Sequence, residues 1–114
     1  MASTFKVKTH RVIGTTATTI NSYYVATSTT TTVIGLTLAN RTAASITADA
    51  MHNDRTGANG KDTYLIKSAP IPSGGSLVVV GGDQKVVLQN AHSVKCVSNT
   101  AASLDVIMSV LELT

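Results

Sequence analysis

Short runs in which residues point alternately to two faces recur along the whole chain, and Gly-, Pro- and Asn-bearing breaks separate them at roughly 8–12-residue spacing. Period-two alternation is the mark of a strand, because successive side chains leave a strand on opposite sides. Residues 5–13 show it plainly: Phe5, Val7, Thr9, Arg11 and Ile13 share one face, and Lys6, Lys8, His10 and Val12 the other. Residues 15–25 form a second extended stretch around Ile20, Tyr23 and Tyr24. Residues 32–39 are the strongest early strand, with Ile34, Leu36 and Leu38 on a common face. In residues 45–51, Ile46, Ala48 and Ala50 alternate with Thr47, Asp49 and Met51. Further strands are expected at 62–67, 76–80, 85–88, 94–98 and 104–113.

Composition supports the same reading. The chain has 18 Thr, 13 Val and 7 Ile among 114 residues, so one residue in three is β-branched. Such side chains fit a pleated surface and lose rotamer freedom in a helix. No stretch keeps a capped helical period, and Ala101-Ala102-Ser103 has room for one helical turn. The expectation is one domain, residues 1–114, all-β: a single antiparallel β-sandwich, immunoglobulin-like or jelly-roll-like, of about eight or nine short strands.

Several function classes are disfavoured. A net charge of +3 from scattered basic residues makes no continuous track for a polyanion, and few aromatics are present to stack bases, so no nucleic-acid partner is expected. No apolar run approaches the ~20 residues of a membrane span, and the first residues lack the apolar core of a signal peptide, so no membrane partner is expected. The Asn40-Arg41-Thr42 triplet therefore reads as an accidental match to a glycosylation acceptor. Cys96 is the one cysteine, which excludes an intrachain disulfide. Its alternation with Lys95 and Val97 points it inward as a small hydrophobe.

Catalytic and metal signals are weak. Residues 52–61 are polar and Gly-rich and are expected to form an exposed loop, but across residues 53–62 Arg55 stands where a phosphate loop needs its first Gly, and Asp62 where it needs Ser or Thr. A calcium loop would need ligands at alternate positions and a closing Glu. His10, His52 and His92 lie in separate segments without metal-ligand spacing. Glu112 is the only Glu, so no carboxylate pair of glutamates exists. No enzyme activity, cofactor or metal is expected.

Two surfaces read as candidate interfaces. Lys6, Lys8 and His10 form a basic stripe at roughly 7 Å spacing, suited to an acidic partner or to protecting a sheet edge. In the last strand Val106, Met108 and Val110 form one largely apolar face, and Ile107, Ser109 and Leu111 the other. A sandwich strand normally gives water one polar face, so Ile107, Ser109 and Leu111 are candidates for a subunit contact.

From Asp62 onward the chain resembles a family of small virion structural proteins of tailed bacteriophages, especially marine ones. The residues that carry this are Asp62-Thr-Tyr-Leu-Ile-Lys67, Ala69-Pro-Ile-Pro-Ser-Gly-Gly75, Leu77-Val-Val-Val-Gly-Gly-Asp-Gln-Lys85, Ser98-Asn-Thr-Ala-Ala-Ser-Leu-Asp-Val-Ile107 and Ser109-Val-Leu-Glu112. Thr32-Val-Ile-Gly-Leu-Thr-Leu-Ala-Asn40 matches more loosely. The chain departs at Asn90-Ala91-His92-Ser93, where related chains tend to place a Gly-Asp turn. The resemblance implies a non-enzymatic β-sandwich of the virion, assembled in the host cytoplasm. The leading reading is a capsid decoration (cement) protein that braces neighbouring capsomers, with the major capsid protein or other virion proteins as partners. A homo-oligomer is expected, a trimer by analogy with how such particles are built. A tail, neck or fibre-adaptor component is the alternative. A carbohydrate-binding sandwich is the more distant one, disfavoured by the absence of Trp.

Overall fold

The computed structural model describes residues 2–54 and 60–114. Nine strands form among them: β1 (Ser3–Ile13), β2 (Thr18–Thr19), β3 (Thr30–Asn40), β4 (Ile46–Asn53), β5 (Asp62–Ile71), β6 (Ser76–Val80), β7 (Val86–Leu88), β8 (Ser93–Ser98) and β9 (Leu104–Leu113). Their antiparallel pairings are nested. β4 pairs with β5, β3 with both β6 and β7, β2 with β8, and β1 with β9. Folding that nested ribbon over on itself adds two further pairings, β3 with β9 and β4 with β8. The result is one sheet in the order β1-β9-β3-β6, with β7 continuing beside β3, and a second in the order β2-β8-β4-β5. This is a jelly roll, which decides between the two sandwich topologies open to the sequence.

The inward faces of both sheets make one core. Val33, Leu36, Leu38, Val106, Met108 and Val110 of the first sheet meet Ile46, Ala48, Ala50, Val94 and Cys96 of the second. Each large side chain fully removed from water contributes about 1.5–3 kcal/mol. Cys96 is 0% exposed, and burial pushes its thiol up to about 12. The inward small-hydrophobe reading holds.

Two bulges shift which residues face inward. In β3 the register moves from Val33↔Val110 to Gly35↔Ser109, leaving Ile34 as an extra residue. One extra residue reverses the face of everything beyond it. Val33 therefore joins Leu36 and Leu38 in the core, and the expected Ile34–Leu36–Leu38 face is corrected. In β1 the register moves between His10↔Val106 and Ile13↔Leu104. Val12 adopts a left-handed φ of 55° there, with its N–H donating to Asp105 Oδ1 at 3.0 Å. Ile13 reaches the core, at 2% exposure, while Phe5 and Val7 on its expected face stay in solvent.

The stretch after β1 also departs from expectation. Only Thr18–Thr19 is strand, and Ile20–Ser22 is a single 3₁₀ turn, with Asn21 at φ 55°. Ile20 is completely buried, so the turn plugs the sandwich rather than extending a sheet. Ala101 and Ala102 form a turn with Ala102 at φ 49°, not a helical one. At the Asn90-Ala91-His92-Ser93 departure, Ala91 sits at φ 69°, a conformation that glycine adopts at lower cost.

Asn40 ends β3 as a buried clamp, 3% exposed. Its Nδ2 donates to the carbonyls of Ala44, Ile71 and Pro72 at 2.8, 3.0 and 3.2 Å. Its Oδ1 accepts from the Thr42 N–H and hydroxyl at 2.9 and 2.7 Å. The glycosylation-like triplet is thus a structural device tying β3 to the connection between β5 and β6.

Candidate interaction surface

The outward face of the first sheet is built from cross-strand rows, because residues directly opposite in antiparallel strands share a face. The pairings place Phe5, Leu111, Thr32 and Val87 in one row. The next row is Val7, Ser109 and Gly35, and the third Thr9, Ile107, Thr37 and Val78. Phe5, Val7, Val78, Val87 and Ile107 are 73, 58, 63, 54 and 50% exposed. Five large apolar side chains thus stand in water on one face of one sheet. A Cβ on Gly35 would meet nothing nearer than 4.0 Å, so the middle row is a trough. Beside Ile107 a shallow hollow of about 310 Å³ is lined by Thr9, Arg11, Thr37 and Asp105 among others.

The number of exposed apolar side chains gathered on one sheet distinguishes this face. Single exposed hydrophobic residues are common on any soluble protein, but apolar patches spanning several strands mark places where another surface docks. The molecule measures 45 × 31 × 21 Å along its principal axes, so its broad face accommodates the roughly 800 Å² that a standard interface takes from each partner. The sequence pointed to Ile107, Ser109 and Leu111 on this face. Ile107 is fully outward, whereas Ser109 and Leu111 are half-buried between their neighbours. Phe5, Val7, Val78 and Val87 were missed, since only the register shows that they join Ile107.

The basic stripe lies on the other side of β1 and is engaged within the chain. Lys6 Nζ pairs with Glu112 at 2.9 Å, and the Glu112 side chain is 14% exposed. Lys8 Nζ sits 4.5 Å from the centroid of the Tyr23 ring. His10 Nδ1 accepts the Asn21 N–H at 2.9 Å. The Tyr23 hydroxyl donates to Glu112 at 2.5 Å and lies 2.8 Å from the Thr31 hydroxyl. Burial and the bond to Glu112 push the Tyr23 phenol up to about 12. The bonds from Tyr23 and Lys6 hold the Glu112 carboxyl below its ordinary range. This network closes the flank of the sandwich under β1.

His52 and His92, separate in sequence, are brought together. His52 Nε2 lies 3.0 Å from His92 Nδ1, with the rings edge to face. Burial, and next the neighbouring His92, lower the His52 pKa, partly offset by Asp54. No group of three or more metal-ligating side chains converges among the described residues. In the polar loop read above as a rejected phosphate or calcium site, residues 55–59, Arg55 among them, lie outside the described residues. The ends of that loop are joined by Asp54 N–H to the Lys61 carbonyl at 3.1 Å and by Lys61 N–H to Asp54 Oδ1 at 2.8 Å. Among the described residues no helix is long and apolar enough to cross a membrane.

His52 and Glu112 both weaken the fold in acid. His52 is held neutral, so the unfolded chain takes up its proton first, and stability falls as pH drops below the ordinary histidine value near 6.5. Glu112 is held charged, so its contribution is present above the ordinary carboxylate value of 4.5 and is lost as pH falls through its lowered value. Melting temperature should therefore decline in two stages. His52→Gln should flatten the first stage and Glu112→Gln the second. A single stage unaffected by either variant would contradict this assignment.

No protein-family model matches the chain, and no curated protein matches it. Among solved structures, the chain is similar to one described as "Bacillus endospore appendages form a novel family of disulfide-linked pili", with a TM-score of 0.55 and 14% identity over 99% of this chain and 87% of that one. A second likeness, to the VP2 subviral particle of infectious bursal disease virus, has a TM-score of 0.41 and 14% identity over 95% of this chain and 32% of that one. At such identity, the first likeness establishes a shared fold.

Proposed function

We propose that this protein is a non-enzymatic structural subunit that works by docking the outward face of β1-β9-β3-β6 onto other subunits. The specific form proposed is a virion component, a capsid decoration protein that braces neighbouring capsomers and associates as a homo-oligomer. The five exposed apolar side chains on that face carry this reading: burying Val7, Val78, Val87 or Ile107 at a contact contributes up to about 1.5–3 kcal/mol each. The phage-like sequence stretches support the virion assignment. The fold itself is neutral, because jelly rolls serve capsids and lectins alike.

An assembly of this kind is held without disulfides, since the thiol of Cys96 is buried in each subunit. Its contacts are weak one by one and are summed by repetition. The test is stoichiometry. Light scattering on the purified protein should show a concentration-dependent oligomer, and quantitative mass spectrometry of purified particles should find hundreds of copies on the head. A strict monomer absent from particles would overturn the proposal.

A further inference from the structure

The β1 strand lies at the end of its sheet, and its backbone shows which groups are left over. Ala2 and Thr114 exchange both backbone hydrogen bonds, at 3.1 and 2.9 Å. Antiparallel pairs alternate between bonded and non-bonded, so Thr4, Lys6 and Lys8 turn their N–H and C=O toward β9. Ser3, Phe5, Val7 and Thr9 turn theirs away, to the open edge. The bond from Asn21 Nδ2 to the Thr9 carbonyl, at 3.0 Å, agrees with this phase and closes the edge at that end. Over residues 3–7 no strand pairs with the edge among the described residues.

Natural sheets blunt such edges. At the opposite extreme of the fold, β5 carries Pro70, a left-handed Ser68 held by Asp49, and two register shifts. Residues 3–7 carry no proline, left-handed residue or register shift; their one such device is Lys6, whose charge is already paired with Glu112. Phe5 stands beside the edge at 73% exposure.

We propose that the β1 edge at residues 3–7 accepts an extended segment of a partner protein in which apolar and acidic side chains alternate, adding it to the sheet as a further strand. The outward side chains flanking such a strand are Phe5 and Val7, which favour apolar neighbours. The flanking side chains on the other face are Lys6 and Lys8, which favour carboxylates, and Lys6 remains 47% exposed beside Glu112. A second copy of β1 is the wrong occupant. The strand carries Lys6, Lys8, His10 and Arg11 and no acidic residue, so two copies would oppose like charges.

The probe is a blocked heptapeptide of alternating Val and Glu, titrated into the whole protein and followed by amide chemical shifts. A Val and Lys peptide is the control. Shifts should centre on the amides of Phe5 and Val7, and the Lys peptide should bind at least 10-fold more weakly. Val7→Pro removes an N–H that points out of the sheet, leaves the bonds to β9 in place, and should weaken binding at least 10-fold. Lys6→Glu with Lys8→Glu should reverse the preference between the peptides. Ile107→Asp, on the neighbouring strand, should leave peptide binding unchanged, which separates this edge from self-association through the outer face. Shifts centred on β5, equal binding of both peptides, or full binding by a folded Val7→Pro protein would each overturn the assignment.

Discussion

Ile107→Asp is expected to disperse the assembly while leaving the subunit folded. Ile107 is 50% exposed, so within one chain the change costs about 1 kcal/mol or less, mostly through the poor strand propensity of Asp. At a contact the same change forfeits the burial of the isoleucine and places an unpaired carboxylate in a dry surface. Together these amount to about 3 kcal/mol or more, a weakening of roughly 100-fold per contact. A light-scattering dilution series should shift by that factor, while the melting temperature, compared at a dilution where both proteins are dispersed, should fall by no more than about 4 °C. An unshifted series would place the contact elsewhere on the molecule.

Asn40→Ala is expected to cost the fold itself about 2–3 kcal/mol. The side chain, only 3% exposed, donates to three carbonyls and accepts from two donors of Thr42. The Pro72 carbonyl also holds the Gly75 N–H and the Ala44 carbonyl the Thr42 hydroxyl, so the buried Ile71 carbonyl is the partner most exposed to the loss. Each buried partner left unsatisfied costs about 1–3 kcal/mol, reduced where water enters. For a domain of this size the loss corresponds to a fall of roughly 6–12 °C in melting temperature. Asn40→Asp keeps the acceptor but loses the donors and turns a charge toward three carbonyl oxygens, so it should be no better tolerated. A fall of only a few degrees for both variants would mean that the connection between β5 and β6 is held by other contacts.

The β-sandwich was legible in the sequence because period-two alternation and β-branched residues report local backbone geometry. Its jelly-roll order was not, since that depends on pairings such as β1 with β9, more than ninety residues apart at their ends. The inner and outer faces of β9 were legible for the same local reason. Those of β1 and β3 were misread where a bulge at Val12 or Ile34 reversed the phase, and one inserted residue leaves no compositional trace. Alternation also cannot say which face of a strand meets the core. Lys6, Lys8 and His10 looked like the free face of β1, yet Glu112, Tyr23 and Asn21 engage them. The His52–His92 contact joins residues 40 apart and depends on the register of β4 against β8, which no local pattern encodes.

Hydroxyl-radical footprinting of the free and assembled protein tests the docking face most directly. Phe5 and Ile107 report the outer face of the first sheet at 73 and 50% exposure, and Tyr64, 48% exposed on β5 of the second sheet, is the internal reference. Assembly should protect Phe5 and Ile107 together and leave Tyr64 as reactive as in the free chain. Protection of Tyr64 with Phe5 and Ile107 unchanged would contradict the account, because the subunits would then meet through the opposite sheet.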